Sequence, residues 1–192
     1  NPDLLDETSL SYSVDNLYSI NDRHQMNSAI FYRQLKNAIV PVYDSRGVGR
    51  YENSKKAYLA GIEWQWRYQG DHFYSHLGAD LYQSESLDDN VKSFNNKQIA
   101  GIYHNSVSLI TGWSQQQHNI ELINRINANI YIDRSNLIAG DNYHLTDINY
   151  QYQYSQISLG FSIKDLMNTR YKDFTNRPAI GRQWIVFTNF NF

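Results

Sequence analysis

Apolar and polar residues take turns at every second position through most of this chain, and no other feature limits its fold as strongly. Leu10, Tyr12 and Val14 alternate with Ser9, Ser11 and Ser13; Met26, Ile30 and Tyr32 alternate with Asn27, Ala29 and Arg33. In AYLAGIEWQWRY, Tyr58, Ala60, Ile62, Trp64, Trp66 and Tyr68 share one parity, and Glu63, Gln65 and Arg67 the other. The pattern recurs around Leu77, Leu109, Leu122, Tyr150 and Leu159, and in the closing RQWIVFTNFNF. Successive side chains of a strand point to opposite faces, so this period predicts about nine half-buried strands. No segment carries a 3.6-residue period, and helices are expected to be few.

The connections predict how the strands are joined. Short polar turns at INDRHQ, YQGDH, QQQHN and YSQ alternate with long segments at 41–56, 83–98, 133–144 and 165–181. That rhythm fits an all-β, antiparallel up-and-down meander with one short-turn rim and one long-loop rim. Two architectures compete. In a soluble β-sandwich the apolar face packs on a second sheet; in a membrane barrel it meets lipid while the polar face lines a wet lumen. Trp64, Trp66, Tyr68, Trp113, Tyr152, Tyr154, Phe190 and Phe192 crowd toward short turns or the chain end. A sandwich core has no reason to gather its largest aromatics at one rim, whereas a barrel uses them as an interfacial girdle. The mean hydropathy of −0.62 is compatible with a barrel, which dilutes its apolar residues one-to-one with polar ones. Bacterial barrels generally have an even number of strands with both ends at the periplasmic side. Nine strands therefore suggest the tail of a larger barrel, with Phe192 on the periplasmic side.

Three stretches then carry a resemblance. NPDLLDETS resembles the N-P-x-L-x-x-E-T/S opening of a late strand in TonB-dependent outer-membrane receptors. YENSKKAYLAGIEWQWRY is similar to their Y-x-N-x-x-x-A-x-x-x-G-x-E strand, with Ala57, Gly61 and Glu63 at the matching places. The segment from Asp165 to Phe192 resembles their closing N-L-x-N-x-x-Y … P-x-x-G-R … F-x-F, with Asp165 and Met167 departing from the usual residues. The resemblance implies that 1–192 is the C-terminal portion of a barrel of about 22 strands, open in this piece, whose N-terminal plug lies outside it. It further implies the cell outer membrane as location and active uptake of a scarce nutrient, with a ferric siderophore as the commonest cargo. The implied partners are outer-membrane lipid, TonB–ExbB–ExbD through the plug, and the barrel assembly machinery, for which Phe192 would be the signal. A haem or cobalamin receptor, a passive porin and a soluble β-sandwich binding module stay as alternatives.

For sites, the long segments offer Arg46, Arg50, Tyr51, Tyr171 and Arg177, with Lys172 beside them, as residues able to meet an anionic ligand. The SRGVGR stretch lacks the strand-then-helix setting of a phosphate loop. Inward Glu63, Arg67, Glu121, Arg125, Asp147 and Lys164 are expected to form lumenal salt bridges against the plug. His72 and His76 would lie about 13 Å apart on a strand, too far for one metal ion. His24 and His118 fall in short turns and are expected to be solvated. The chain has no cysteine and a net charge of −2, so thiol chemistry and a basic nucleic-acid footprint are both excluded. No nucleophile elbow or paired carboxylate marks an enzyme, and no cofactor or metal is expected.

Overall fold

A computed structural model describes residues 2–43, 49–87, 91–173 and 177–190. They form one antiparallel sheet in which nine strands lie side by side in sequence order. The strands are β1 (Thr8–Asn21), β2 (His24–Tyr43), β3 (Gly49–Gln69), β4 (Phe73–Leu87), β5 (Asn105–Gln115), β6 (His118–Ala128), β7 (Tyr143–Tyr154), β8 (Ile157–Lys164) and β9 (Gln183–Phe190). The one helical element among the described residues is a single 3₁₀ turn, Lys92–Phe94. Among the described residues no helix is long and apolar enough to cross a membrane, which says nothing of crossing by strands.

The register bears out the parity of the sequence. Ile30, Ile62, Leu81, Val14 and their neighbours line up across β1–β4 on one face, while Ala29, Glu63, Asp80 and Asp15 line up on the other. The first face is left open. Val14 is 74% exposed, Val186 78% and Trp184 62%, and Leu10, Ile30, Ile62, Leu81, Ile120 and Leu159 are exposed beside them. Only Ala38, Ala57 and Ile130 are buried apolar side chains among the described residues. A sandwich of this size would hide a whole inner face of such residues; here no second sheet covers the apolar face, and the sandwich alternative fails.

The other face is polar and better packed. Its glycines explain how aromatics fit there: a Cβ at Gly61 would meet Tyr82 Cδ1 at 2.5 Å, the Leu81 carbonyl at 2.8 Å and Phe31 Cζ at 2.9 Å. Tyr74 lies over Gly112 and Phe187 over Gly160 in the same way. Each ring covers the bare backbone of an adjacent strand, which supports the sheet where a side chain is missing. Phe31, Tyr82, Tyr74 and Phe187 thus sit on the polar face without breaking the pattern. Hydroxyls supply the polarity: Tyr82 donates to Glu63 at 3.1 Å and Tyr74 to Glu121 at 2.6 Å.

The short-turn rim is built from Asp22–Arg23, Gly70–His72, Gln116–Gln117 and Ser155–Gln156. Gln116 and Ser155 take positive φ, 53° and 51°, as the first residue of a two-residue hairpin turn requires. Arg23 reaches across to Asp71 of the next turn at 3.1 Å. The other rim holds the long connections, but the first is shorter than expected. Pro41, Val42, Arg50 and Tyr51 belong to strands, with Pro41 paired to Tyr51 and Val42 to Arg50. Most of 41–56 therefore extends β2 and β3 rather than forming a loop.

Candidate functional site

On the polar face, close to the long-loop rim, three phenols and a guanidinium gather above a buried carboxylate. Tyr143 opens β7 on this face, opposite Asn127 of β6, and Asp147 follows on the same parity. The Tyr171 ring stacks on Tyr143 at 4.2 Å between centroids, and Tyr103 meets Tyr143 edge-on at 5.4 Å. Asn127 accepts from the Ser106 hydroxyl at 2.7 Å and donates to the Tyr143 hydroxyl at 2.9 Å, fixing the central ring. Arg125 pairs with Asp147 at 2.6 Å; the guanidinium is 43% exposed and the carboxylate 5%. Its face toward solvent keeps donors free for a second partner.

Local chain chemistry holds Tyr171 in place. Asp165 enters the closing loop at φ 50°, its amide donating to Asp147 Oδ1 at 2.8 Å, while its own Oδ1 accepts from the Thr169 amide at 2.9 Å. Asp165 Oδ2 is buried without a hydrogen-bond partner. The Asn168 side chain accepts from the Arg182 amide at 3.1 Å, beside Gly181 at φ 80°. Asp173 and Arg177 close a small hairpin, joined by a backbone bond at 2.9 Å and an ion pair at 3.4 Å. The signature residues of this stretch therefore shape the loop. Asn53 does the same for the chain start: its amide group bonds the Leu5 amide at 2.7 Å and the Leu5 carbonyl at 2.9 Å.

Tyr103 and Tyr171 are neutral donors at ordinary pH. Burial first, and then the Tyr143 hydroxyl, push Tyr103 up to about 12. Tyr171 is raised by burial and by Tyr143 and Asp165, with Arg125 pulling the other way. Three hydroxyls, their π-faces and one half-exposed guanidinium suit a ligand with planar groups and anionic oxygens. Among the described residues no three His, Asp or Glu side chains stand together to hold a metal ion.

Of the residues expected from sequence, Tyr171 lies in this cluster and Arg177 in the hairpin beside it. Tyr51, 59% exposed, stands at the outer end of β3, with four strands between it and β8. It and Arg50 are strand residues, a correction to their expected place in a loop. Arg46 and Phe192 lie outside the described residues. Tyr103 and Tyr143 were not singled out by sequence, although Tyr143 shares the parity of Asp147. Arg125 and Asp147, both expected to meet the plug, pair with each other within the sheet. At the opposite rim His24 and His118 are not simply solvated. His24 packs against Trp66 and Tyr68 at 5.6 and 4.9 Å, and His118 against Tyr150 and Tyr152 at 6.0 and 5.0 Å. Each opens a strand on the apolar face, which draws its ring into the aromatic belt.

No protein-family model matches this sequence, and no curated protein does. The fold has clear counterparts among solved structures. The ferric yersiniabactin uptake receptor FyuA from Yersinia pestis superposes with a TM-score of 0.82 at 15% identity, over 97% of this chain and 30% of its own. The copper transporter OprC gives 0.83 at 13% identity, over 100% and 32%. The siderophore receptor PiuA from Acinetobacter baumannii gives 0.76 at 18% identity, over 95% and 28%. These neighbours are TonB-dependent receptors, transporters rather than enzymes. The nine-stranded sheet thus has the fold of part of a TonB-dependent receptor barrel, and it spans about a third of the length of such chains.

Proposed function

We propose that this chain is the barrel portion of a TonB-dependent outer-membrane receptor that takes up a ferric siderophore or a closely similar anionic chelate. The observation that supports the reading best is the division of one sheet into an uncovered apolar face and a polar, hydrogen-bonded one. A barrel wall in lipid needs both, and every backbone group in such a wall is paired between strands. The apolar face meets lipid, and the polar face lines the lumen around a plug supplied by the rest of the receptor. Energy comes through TonB–ExbB–ExbD acting on that plug, and the assembly machinery inserts the barrel. The short-turn rim lies in the periplasm and the long loops lie outside.

Within that frame the Tyr103–Tyr143–Tyr171–Arg125 cluster faces the lumen just below the outer loops, where an arriving chelate first leaves bulk water. Arg177 and Tyr51 flank the entrance on separate hairpins. The test is uptake of radio-iron by iron-starved cells carrying the full-length protein. Supply as a ferric siderophore is expected to give accumulation that stops when TonB is deleted. Accumulation that persists without TonB would point to a passive porin and defeat the proposal.

A further inference from the structure

Facing pairs along β2 and β3 form a ladder on the apolar face. From the short-turn rim upward they are His24–Tyr68, Met26–Trp66, Ser28–Trp64, Ile30–Ile62, Tyr32–Ala60, Gln34–Tyr58 and Lys36–Lys56. Tyr58 stands ten residues above Tyr68. At about 3.3 Å per residue and a tilt near 40°, that spans about 25 Å, the height of the apolar band of a membrane barrel. Tyr32 stacks on Tyr58 at 6.1 Å and Gln34 bonds the Tyr58 hydroxyl at 3.3 Å, the composition of an outer interfacial girdle. Lys36 and Lys56 come next, about 5 Å higher, at the level of lipid headgroups.

The two lysines are directly opposed and exposed. Cross-strand partners have Cβ atoms about 5 Å apart, and like charges there oppose sheet formation. Neither ammonium has an ion-pair or hydrogen-bond partner among the described residues. Thr8 flanks Lys36 on β1 and Leu87 flanks Lys56 on β4; of the nearby acids, Glu85 faces Tyr58 and Glu7, beside Thr8, accepts from the Ile39 amide at 3.1 Å. A repulsive pair facing outward above an aromatic girdle calls for an external anion, and two ammonium groups at this spacing can straddle one phosphate.

We infer that Lys36 and Lys56 form a docking site for the phosphate of an anionic lipid in the outer leaflet. The inference rests on the membrane placement proposed above. Lipid attachment, rather than free phosphate, follows from the position, since the lysines crown the lipid-facing ladder and lie away from the lumen.

The experiment uses the full-length receptor in nanodiscs of phosphatidylcholine, with and without lipid A, and counts retained lipid A by native mass spectrometry after detergent washing. Lys36→Gln/Lys56→Gln is expected to weaken retention roughly thirtyfold, about a factor of five for each lysine. Lys36→Arg/Lys56→Arg should retain lipid A as the parent does, and inorganic phosphate should not displace it. Insertion with equal retention by the Gln and parent forms would overturn this inference alone, as would full displacement by inorganic phosphate. Failure of the parent to insert in either disc would instead overturn the membrane reading. A heat-modifiable band from the Gln form in phosphatidylcholine discs shows that its barrel has folded.

Discussion

His104 shows how one side chain holds a loop to this sheet. It is 8% exposed, its backbone carbonyl accepts from the Tyr82 amide at 2.7 Å, and its Nε2 meets Ser84 Oγ at 2.7 Å. Ser84 Oγ also accepts from the Ile99 amide at 3.0 Å, so this hydroxyl ties the imidazole to the loop backbone. Burial pushes the His104 imidazole below its ordinary value. The sign follows from which state binds the proton more readily. In the unfolded chain His104 protonates near pH 6.5, while in the fold it resists until lower pH. Its contribution is complete above about pH 6.5 and is lost as pH falls toward the depressed folded value. Amide exchange at Ile99 and Tyr82 should therefore speed up between neutral pH and about pH 5, beyond the intrinsic chemical trend. In His104→Gln, which keeps an acceptor and cannot titrate, that extra dependence should vanish. An unchanged profile in the variant would assign the effect elsewhere.

Strands divide their work between faces, and β3 shows the division most fully. Ile62 is 47% exposed on the apolar face, midway between the Tyr58 and Tyr68 levels, while Gln65 is exposed on the polar face three residues on. On the proposed membrane placement, Ile62→Arg in the full-length protein in bilayers should cost about 2–4 kcal/mol in urea unfolding, because it puts a charge near mid-membrane. Gln65→Arg enters water and should stay within about 0.5 kcal/mol of the parent. Equal costs would contradict the face assignment. Gly61 gives the strand's other constraint. Phe31 from β2 and Tyr82 from β4 converge on it, with the Leu81 carbonyl beneath. Gly61→Val should cost about 1–3 kcal/mol by the same measurement, since the rings must part and Tyr82 must leave Glu63. A valine variant as stable as the parent would mean the two rings are not held there. The same residues explain what the sequence could and could not reveal. Alternation set by the pleat made strand number, order and faces readable, because a single-residue slip would exchange the two faces. The Tyr143–Tyr171 stack was not readable, since it joins a strand to a loop 28 residues later through Asp165 and its turn. The extent of β2 and β3 was missed because PVYDSRGVGRYENSKK carries turn-forming residues. Backbone pairing of Pro41 with Tyr51 overrides them.

At the scale of the whole sheet, the described residues lack the buried apolar core that usually stabilises one of this size. Its buried apolar side chains among the described residues are two alanines and one isoleucine, while Leu17, Val14, Val186 and Trp184 stand 62% exposed or more. The backbone ladder and the polar-face bonds hold neighbours together, but hydrogen bonds exchanged with water contribute little net stability. On the proposed reading the missing term is lipid on one face and the plug and remaining wall on the other. Single cysteines in the full-length protein should report this arrangement. Leu137→Cys, 83% exposed in the segment between β6 and β7, should label from outside intact cells, and Gly70→Cys in a short turn should not. The opposite result would invert the proposed topology. Residues 1–192 alone make the stronger test. Within the described sheet β1 and β9 each pair on one side only, and in lipid each unpaired backbone group costs several kcal/mol. The isolated polypeptide also exposes a continuous apolar face far larger than monomeric soluble proteins tolerate. Expressed alone and refolded in detergent, it is expected to aggregate, to show no heat-modifiable monomer band and to bind no ferric siderophore. A soluble monomer with a cooperative melting transition would mean that these nine strands close on themselves, and the large-barrel reading would then be wrong.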